Sequence, residues 1–130
     1  MAAIAAAGGP ARQRLADAVR AFASRAIRGR RLAYALIAEP VDPEVDSARL
    51  EYRRALGKVF EAILVDGIEA GEFPPQNVEA SAACLVGALI EGLVSPLAPN
   101  SGVVDNNGEP LIEAIVTFSL RAVSRKENEQ

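Results

Sequence analysis

The sequence has no histidine, no tryptophan and a single cysteine, Cys84, and only 5% of its residues are aromatic. Histidine is the commonest general base and metal ligand, so its absence argues against the usual acid–base catalysis and zinc sites. One cysteine cannot form an intrachain disulfide, which is typical of a reducing compartment. We therefore expect no enzyme activity, no metal, no cofactor and a cytoplasmic location.

Other common signatures are also missing. There is no phosphate-binding glycine loop, and the N-terminal MAAIAAAGGP lacks the basic region and sustained apolar run of a signal peptide. Asp42, Glu44 and Asp46 alternate as in a calcium loop, but Ser47 replaces the required glycine, so helix capping explains them better. The apolar stretch from Ala80 to Ala98 approaches a membrane span in length, but Glu91 interrupts it.

What is present favours one all-α domain. The chain has 130 residues, half of them hydrophobic and 24% charged, which suffices for a single globular core. Alanine and leucine dominate, and apolar residues recur at helical spacing. The pattern predicts five helices, at about 10–28, 30–39, 43–70, 77–94 and 110–125. Gly29 and Gly71 should end the first and third helices, Asn77 should cap the fourth, which stops before Pro96, and residues 100–108 should form a polar loop. The apolar stripe of the third helix is Val45, Tyr52, Leu56, Val59, Phe60, Ile63, Gly67 and Ala70. Residues 10–130 form the predicted domain.

The segment Arg30–Asp46 predicts a short, almost wholly apolar helix followed by a corner. Pro40 and Pro43 restrict the residues before them, so the helix should end at Glu39 and the next should begin after Asp42 as N-cap. A helix without a polar face needs cover on all sides. We therefore expect residues 30–39 to pass through the middle of the domain.

Charge is unevenly distributed along the chain. Residues 1–31 hold seven Arg and one Asp, a balance of +6, and the remainder has a balance of −9, which gives the total of −3. A basic end on an acidic body raises the possibility of nucleic-acid contact. The simpler interpretation is that arginines near the end of the first helix complement its dipole, because no recognition motif accompanies them.

The apolar patterns of the fourth and last predicted helices indicate a surface for a partner. The fourth helix is apolar nearly all round with ridges of small residues, and the last helix has two apolar faces. Such helices can form a four-helix bundle with a symmetry mate, so we expect a homodimer; the alternative is that both pack within one subunit. The candidate interface residues are Ala83, Cys84, Gly87, Ala88, Gly92, Ile115, Phe118 and Ala122.

A ligand cavity is the second predicted site. It would combine core-facing aromatic residues, two arginines beside the apolar stripe of the third helix, and a carboxylate within the apolar fourth helix. The alternatives are plain core packing for the aromatics, snorkelling to solvent for the arginines, and an exposed or cross-subunit position for the carboxylate. The candidate ligand-binding residues are Phe22, Tyr34, Arg49, Tyr52, Arg53, Phe60 and Glu91.

These residues also carry a family resemblance. The stretch RLAYALIAEPVDPEVDSARLEYRRALGKVFEAILVDGIEAGEFPPQN resembles the central core of TetR-family transcriptional regulators, with GEFPPQN among the better local signals. LVGALIEGLVSPL and LIEAIVTFSLRAV resemble the two dimerisation helices of that family. The resemblance implies a five-helix C-terminal domain that binds a small-molecule effector through its first three helices and dimerises through its last two.

The DNA-binding half of such a regulator has no counterpart in the sequence. No recognition-helix segment precedes Pro10, so we expect a chain shortened at its N terminus or a gene product with a misplaced start. The resemblance then makes residues 1–9 the remnant of the region that connects the two halves. The resemblance implies a regulator, by expectation a repressor, whose operator DNA is bound by an N-terminal helix-turn-helix outside these residues. A stand-alone helical scaffold or small-molecule-binding protein remains the alternative, and an enzyme comes third.

Overall fold

The computed structural model describes residues 9–37, 42–98 and 108–125. These residues form five helices and no strand: α1 (Ala11–Arg28), α2 (Arg30–Ile37), α3 (Pro43–Glu69), α4 (Val78–Leu97) and α5 (Glu109–Val123). The predicted all-α fold with five helices is confirmed. The predicted corner at Pro40 and most of the predicted polar loop 100–108 lie outside the described residues.

Most helix boundaries follow from single residues. Gly29 ends α1, and its N–H donates to the carbonyl of Arg25. Gly71 follows α3 with a φ of 77°, a left-handed conformation that glycine adopts without steric cost. The Asn77 side chain accepts a hydrogen bond of 3.0 Å from the N–H of Ala80 and caps α4. These three predicted boundaries are confirmed.

The predicted end of the fourth helix is wrong. It was expected near Val94, ahead of Pro96, but α4 continues through Pro96 to Leu97. A proline ring removes one backbone hydrogen bond and is costly mainly in a helix interior. Pro96 lies in the last turn, and Leu97 behind it is 1% exposed in the core. Burial of Leu97 therefore favours the extra turn.

The helix at the centre of the molecule is α1, which packs against each of the other four. Its alanines, among them Ala16, Ala18 and Ala23, are buried and let neighbours approach on several sides. The expectation that residues 30–39 occupy the middle is wrong for the described part of that segment. Leu32 of α2 is 67% exposed, and the extensive contacts of α2 are limited to α1 and α4.

The core combines apolar side chains of α1, α3, α4 and α5 with Phe73 of the turn after α3. The most extensive helix pair is α3 with α4, followed by α1 with α5. Among the larger side chains that are fully buried are Leu15, Val19, Phe60, Ile63, Leu64, Phe73, Leu89, Leu93 and Leu97. Burial of this apolar surface is the main favourable term in folding.

The turn between α3 and α4 fixes the start of α1. The Glu72 carboxylate accepts hydrogen bonds from the N–H of Ala11 at 2.7 Å and of Arg12 at 3.1 Å. Both N–H groups belong to the first turn of α1, where no backbone acceptor is available and a negative charge complements the dipole. The GEFPPQN segment therefore serves as an anchor for the N-terminal end of α1.

Ion pairs connect α1 to two neighbours. Arg14 contacts Asp66 of α3 at 2.8 Å, and Arg20 contacts both carboxylate oxygens of Glu113 on α5 at 2.7 and 2.8 Å. The hydrogen bond from Arg20 lowers the pKa of Glu113; burial opposes this shift, and the charge of Arg20 reinforces it. The same hydrogen bond raises the pKa of Arg20. Bidentate pairing of this kind also fixes geometry.

Candidate functional site

A cavity of about 560 Å³ lies between α1, α2 and α3. It exists because α2 packs on α1 and α4 but makes no extensive contact with α3. One residue of α4, Ile90, also lines it. The described lining residues are Phe22, Arg25, Ala26, Gly29, Leu32, Ala33, Ala48, Arg49, Tyr52, Arg53, Ala55, Leu56, Val59 and Ile90.

Most of this lining is apolar, and part of it is open to solvent. Phe22 of α1 and Tyr52 of α3 form an aromatic pair in the lining, with ring centroids 6.4 Å apart and planes inclined by 34°. Tyr52 is 57% exposed, and Leu32 on the opposite side is more exposed still. Large apolar side chains in a concave, accessible surface are characteristic of small-molecule sites.

The polar part of the lining is cationic. Arg25 comes from the last turn of α1, and Arg49 and Arg53 come from successive turns of α3. Arg49 donates a hydrogen bond from Nη2 to the carbonyl of Ala35, which joins α3 to α2. Its Nε is buried and has no acceptor among the described residues. No carboxylate belongs to the described lining.

The structure brings four of the seven candidate ligand residues to this cavity: Phe22, Arg49, Tyr52 and Arg53. The other three lie elsewhere. Phe60 is fully buried in the core, and Tyr34 is half-buried against it. Glu91 is exposed and lines a different groove, so the expected carboxylate within an apolar surrounding is not found.

Several lining residues were not among the candidates. Arg25 lies one turn beyond Phe22 on the same face of α1, a spacing that could have indicated it. Val59 and Leu56 follow Tyr52 on the apolar stripe of α3 and were assigned to the core in general. Ile90 carried no such signal, because its place in the lining depends on how α4 packs against the other helices.

A second groove of about 580 Å³ runs between α3 and α4. It has mixed charge, with Arg54 and Lys58 on α3 and Glu79 and Glu91 on α4. Lys58 pairs with Glu61 at 3.1 Å on the same helix. The groove shares Arg53 and Ile90 with the cavity, so these two residues form the wall between them.

The candidate interface residues lie on the outer surfaces of α4 and α5. Ala83, Cys84, Gly87, Gly92, Phe118 and Ala122 are exposed, and Ala88 and Ile115 are half-buried. The opposite faces of both helices are buried in the core, for example Leu85 and Leu89 on α4 and Val116 on α5. A Cβ added to Gly92 would lie 3.6 Å from Cδ1 of Ile115, so these two residues already face each other within one chain.

Two further properties bear on the class of protein. Within the described ranges, one helix, Val78–Leu97, is long and apolar enough to cross a membrane, with 39% of its apolar window buried; core helices of globular proteins meet the same criterion. No group of three or more potential metal ligands occurs in that part of the chain.

Comparison with known proteins identifies the domain. A family model described as "Tetracyclin repressor-like, C-terminal domain" matches residues 8–91, which include α1, α2, α3 and most of α4. No curated protein and no solved structure matches the chain. The match covers more than half of the sequence and agrees with the five-helix fold. The chain therefore belongs to the family of TetR-like C-terminal domains, which are regulatory and not enzymatic.

Proposed function

We propose that the chain is the regulatory domain of a cytoplasmic TetR-type transcriptional repressor. It binds a small-molecule effector in the cavity between α1, α2 and α3. It forms a homodimer through α4 and α5. Effector binding controls the affinity for operator DNA of an N-terminal helix-turn-helix that lies outside these residues.

The main support for the proposed effector site is the cavity itself. Its volume of about 560 Å³ falls within the range of roughly 300–1,000 Å³ that is usual for ligand pockets. Its apolar walls with a few polar groups can bury most of a small organic molecule. Nearly all of the lining comes from α1, α2 and α3, so a ligand there can contact all three helices at once.

The position of α1 supports a regulatory role for this site. Phe22, Arg25 and Ala26 of α1 line the cavity, while the opposite end of the same helix is held by Glu72. A displacement of α1 by a ligand would therefore be transmitted along a single rigid helix towards its N terminus. A ligand changes this equilibrium only if it binds the two states of the domain with different affinity.

The outer faces of α4 and α5 support the proposed dimer. Small residues on α4, such as Ala83 and Gly87, permit close helix approach, and Phe118 on α5 supplies an exposed aromatic ring. Symmetric pairing of these two helices would produce a four-helix bundle. It would also cover the apolar surface of α4 that is open in the single chain.

Ligand-dependent stabilisation tests the effector site. The unfolding temperature of the chain is measured against a panel of small molecules, since a ligand that binds only the folded state raises it. The matched control is Ala55→Phe, which places a ring in the cavity at an exposed position of the lining. We expect some compounds to stabilise the wild type and not the variant. Equal stabilisation of both proteins by every active compound would contradict an effector site in this cavity.

A further inference from the structure

We infer that the cavity binds an amphiphilic monoanion, with an apolar body between α1 and α3 and one carboxylate, or a similar oxyanion, at Arg49. This inference rests on the proposed effector site and specifies the chemistry of its ligand. Four observations support it: an unpaired buried donor, the absence of a compensating charge in the described lining, the apolar walls, and the size of the cavity.

The unpaired donor is Nε of Arg49. Its N–H is buried and meets no acceptor among the described residues, whereas Nη2 of the same guanidinium donates to the Ala35 carbonyl. A buried donor without an acceptor is unfavourable, and one on a permanent cation is more so. The contact with Ala35 keeps the guanidinium beside the cavity. Nε itself is enclosed, so an oxyanion in the cavity accepts from it once the side chain shifts towards the ligand. Arginine favours such oxygens because its N–H groups form a planar array.

The charge around Arg49 reinforces this preference. Arg53 lies one helical turn away on α3, and Arg25 reaches the cavity from α1. None of the three forms an ion pair with a carboxylate in the part of the chain that the structure describes. Cations in a concave, low-dielectric surface produce a positive potential that attracts an anion.

The remainder of the cavity requires an apolar body. Phe22, Leu32, Tyr52, Leu56 and Val59 supply most of its walls. A polyanion such as a nucleotide would place several charges against these side chains, whereas only Arg49 provides a buried donor. A neutral apolar ligand would fill the same volume but leave Nε of Arg49 without an acceptor. A ligand with a single anionic group on an apolar body both pairs with Nε of Arg49 and fills the apolar remainder of the cavity.

Calorimetric titration of the full chain tests this inference with probes matched in shape. Dodecanoate is compared with dodecanol and dodecylammonium, and 1-naphthoate with 1-naphthalenemethanol. We expect each anion to bind at least about tenfold more tightly than the matching alcohol, because the anion forms one additional charge-assisted hydrogen bond. Dodecylammonium should bind more weakly than dodecanol.

Arginine variants locate the headgroup. Arg49→Gln should reduce the affinity for both anions about tenfold and leave the alcohols nearly unchanged. Arg54→Gln is the matched control, since Arg54 is an exposed arginine on the same helix that lines the second groove and not the cavity. If Arg49→Gln does not fold, as judged by its circular dichroism and melting curve, Arg53→Gln replaces it with the same expected direction.

The possible outcomes distinguish failure of the monoanion inference from failure of the proposed effector site. Equal binding of anions and alcohols that Ala55→Phe abolishes would overturn the monoanion inference and leave the effector site standing. Anion binding that survives both Arg49→Gln and Ala55→Phe would place the anion elsewhere and also overturn the inference. Binding of none of the five probes would overturn the inference too. The effector site itself would be contradicted only if the wider compound panel gave no stabilisation sensitive to Ala55→Phe.

Discussion

At the scale of single residues, Gly67 leaves the space that the ring of Phe73 occupies. Gly67 is buried in α3, and a Cβ added to it would lie 2.2 and 2.5 Å from two ring carbons of Phe73 and 3.0 Å from Cβ of Ala11. Phe73 is 1% exposed, so its ring has no free space into which it can move. The absent side chain at Gly67 therefore allows the turn after α3 to fold back beneath α1.

We predict that Gly67→Ala destabilises the domain by about 1–3 kcal/mol, as overpacking of a core does. The matched control is Gly57→Ala in the same helix, where the added Cβ would meet only Val86 at 3.9 Å. That change should stabilise the protein by about 0.5–1 kcal/mol, because alanine favours a helix over glycine. Urea unfolding at one fixed protein concentration measures both values. Similar behaviour of the two variants would contradict the close packing of Phe73.

Some of these single-residue roles could be predicted from the sequence and others could not. Gly71 and Asn77 act within their own turn, so local rules were sufficient to predict their roles. Gly67 appeared only as a member of the apolar stripe of α3, because its partner ring arrives from a later turn. The role of Glu72 was likewise not visible, since the N–H groups that it accepts from are about sixty residues earlier in the chain.

At the scale of helices, the contact between α1 and α5 includes a bidentate ion pair that titrates with pH. Because Arg20 holds the pKa of Glu113 below its ordinary value of 4.5, the folded state favours the ionised carboxylate. The pair therefore contributes its stability in full above the ordinary pKa of glutamate and loses it as pH falls through the lowered pKa. Salt should weaken the effect, because both side chains are largely exposed.

We predict that Glu113→Gln lowers the melting temperature at neutral pH and reduces the loss of melting temperature on acidification below 4.5. The control is Glu109→Gln on the same helix, which lacks an ion pair within the described residues. Melting curves across the acidic range compare both variants with the wild type. An unchanged acid profile for Glu113→Gln would show that the pair does not contribute to stability.

The helices themselves were predicted more reliably than their arrangement. Apolar spacing with Gly29, Gly71 and Asn77 as boundaries indicated five helices in the correct order. The central position of α1 could not be derived in the same way, because α2 has the more apolar sequence and α1 is rich in arginine. The small alanines of α1 decide this through close packing, and the arginines reach solvent or carboxylates from its edges.

At the scale of the whole molecule, the cavity is a neighbour of the groove that includes Ala83 and Gly87 of the proposed dimer surface. Arg53 and Ile90 form the wall between the cavity and the groove beside the outer face of α4. The cavity was anticipated from the aromatic and arginine residues of α1 and α3. Its position depended on the gap between α2 and α3, which no local pattern specifies.

We predict that Phe118→Glu converts the proposed dimer into a monomer. Phe118 is 59% exposed on α5, and an aromatic residue at the centre of an interface typically contributes about 2 kcal/mol or more. Light scattering coupled to gel filtration should therefore show the dimer mass for the wild type and the monomer mass for the variant. Leu50→Glu is the control, since Leu50 is 49% exposed on α3 and outside the proposed interface. A monomeric wild type at micromolar concentration would contradict the dimer.

The most direct test of an effector-binding, dimerising domain is native mass spectrometry of the chain purified from its own host. The proposed function predicts a dimer that carries a small molecule, ideally one per subunit. The Ala55→Phe variant should lack that molecule, and the Phe118→Glu variant should be monomeric. A wild-type protein that is monomeric and carries no small molecule would contradict the proposed function.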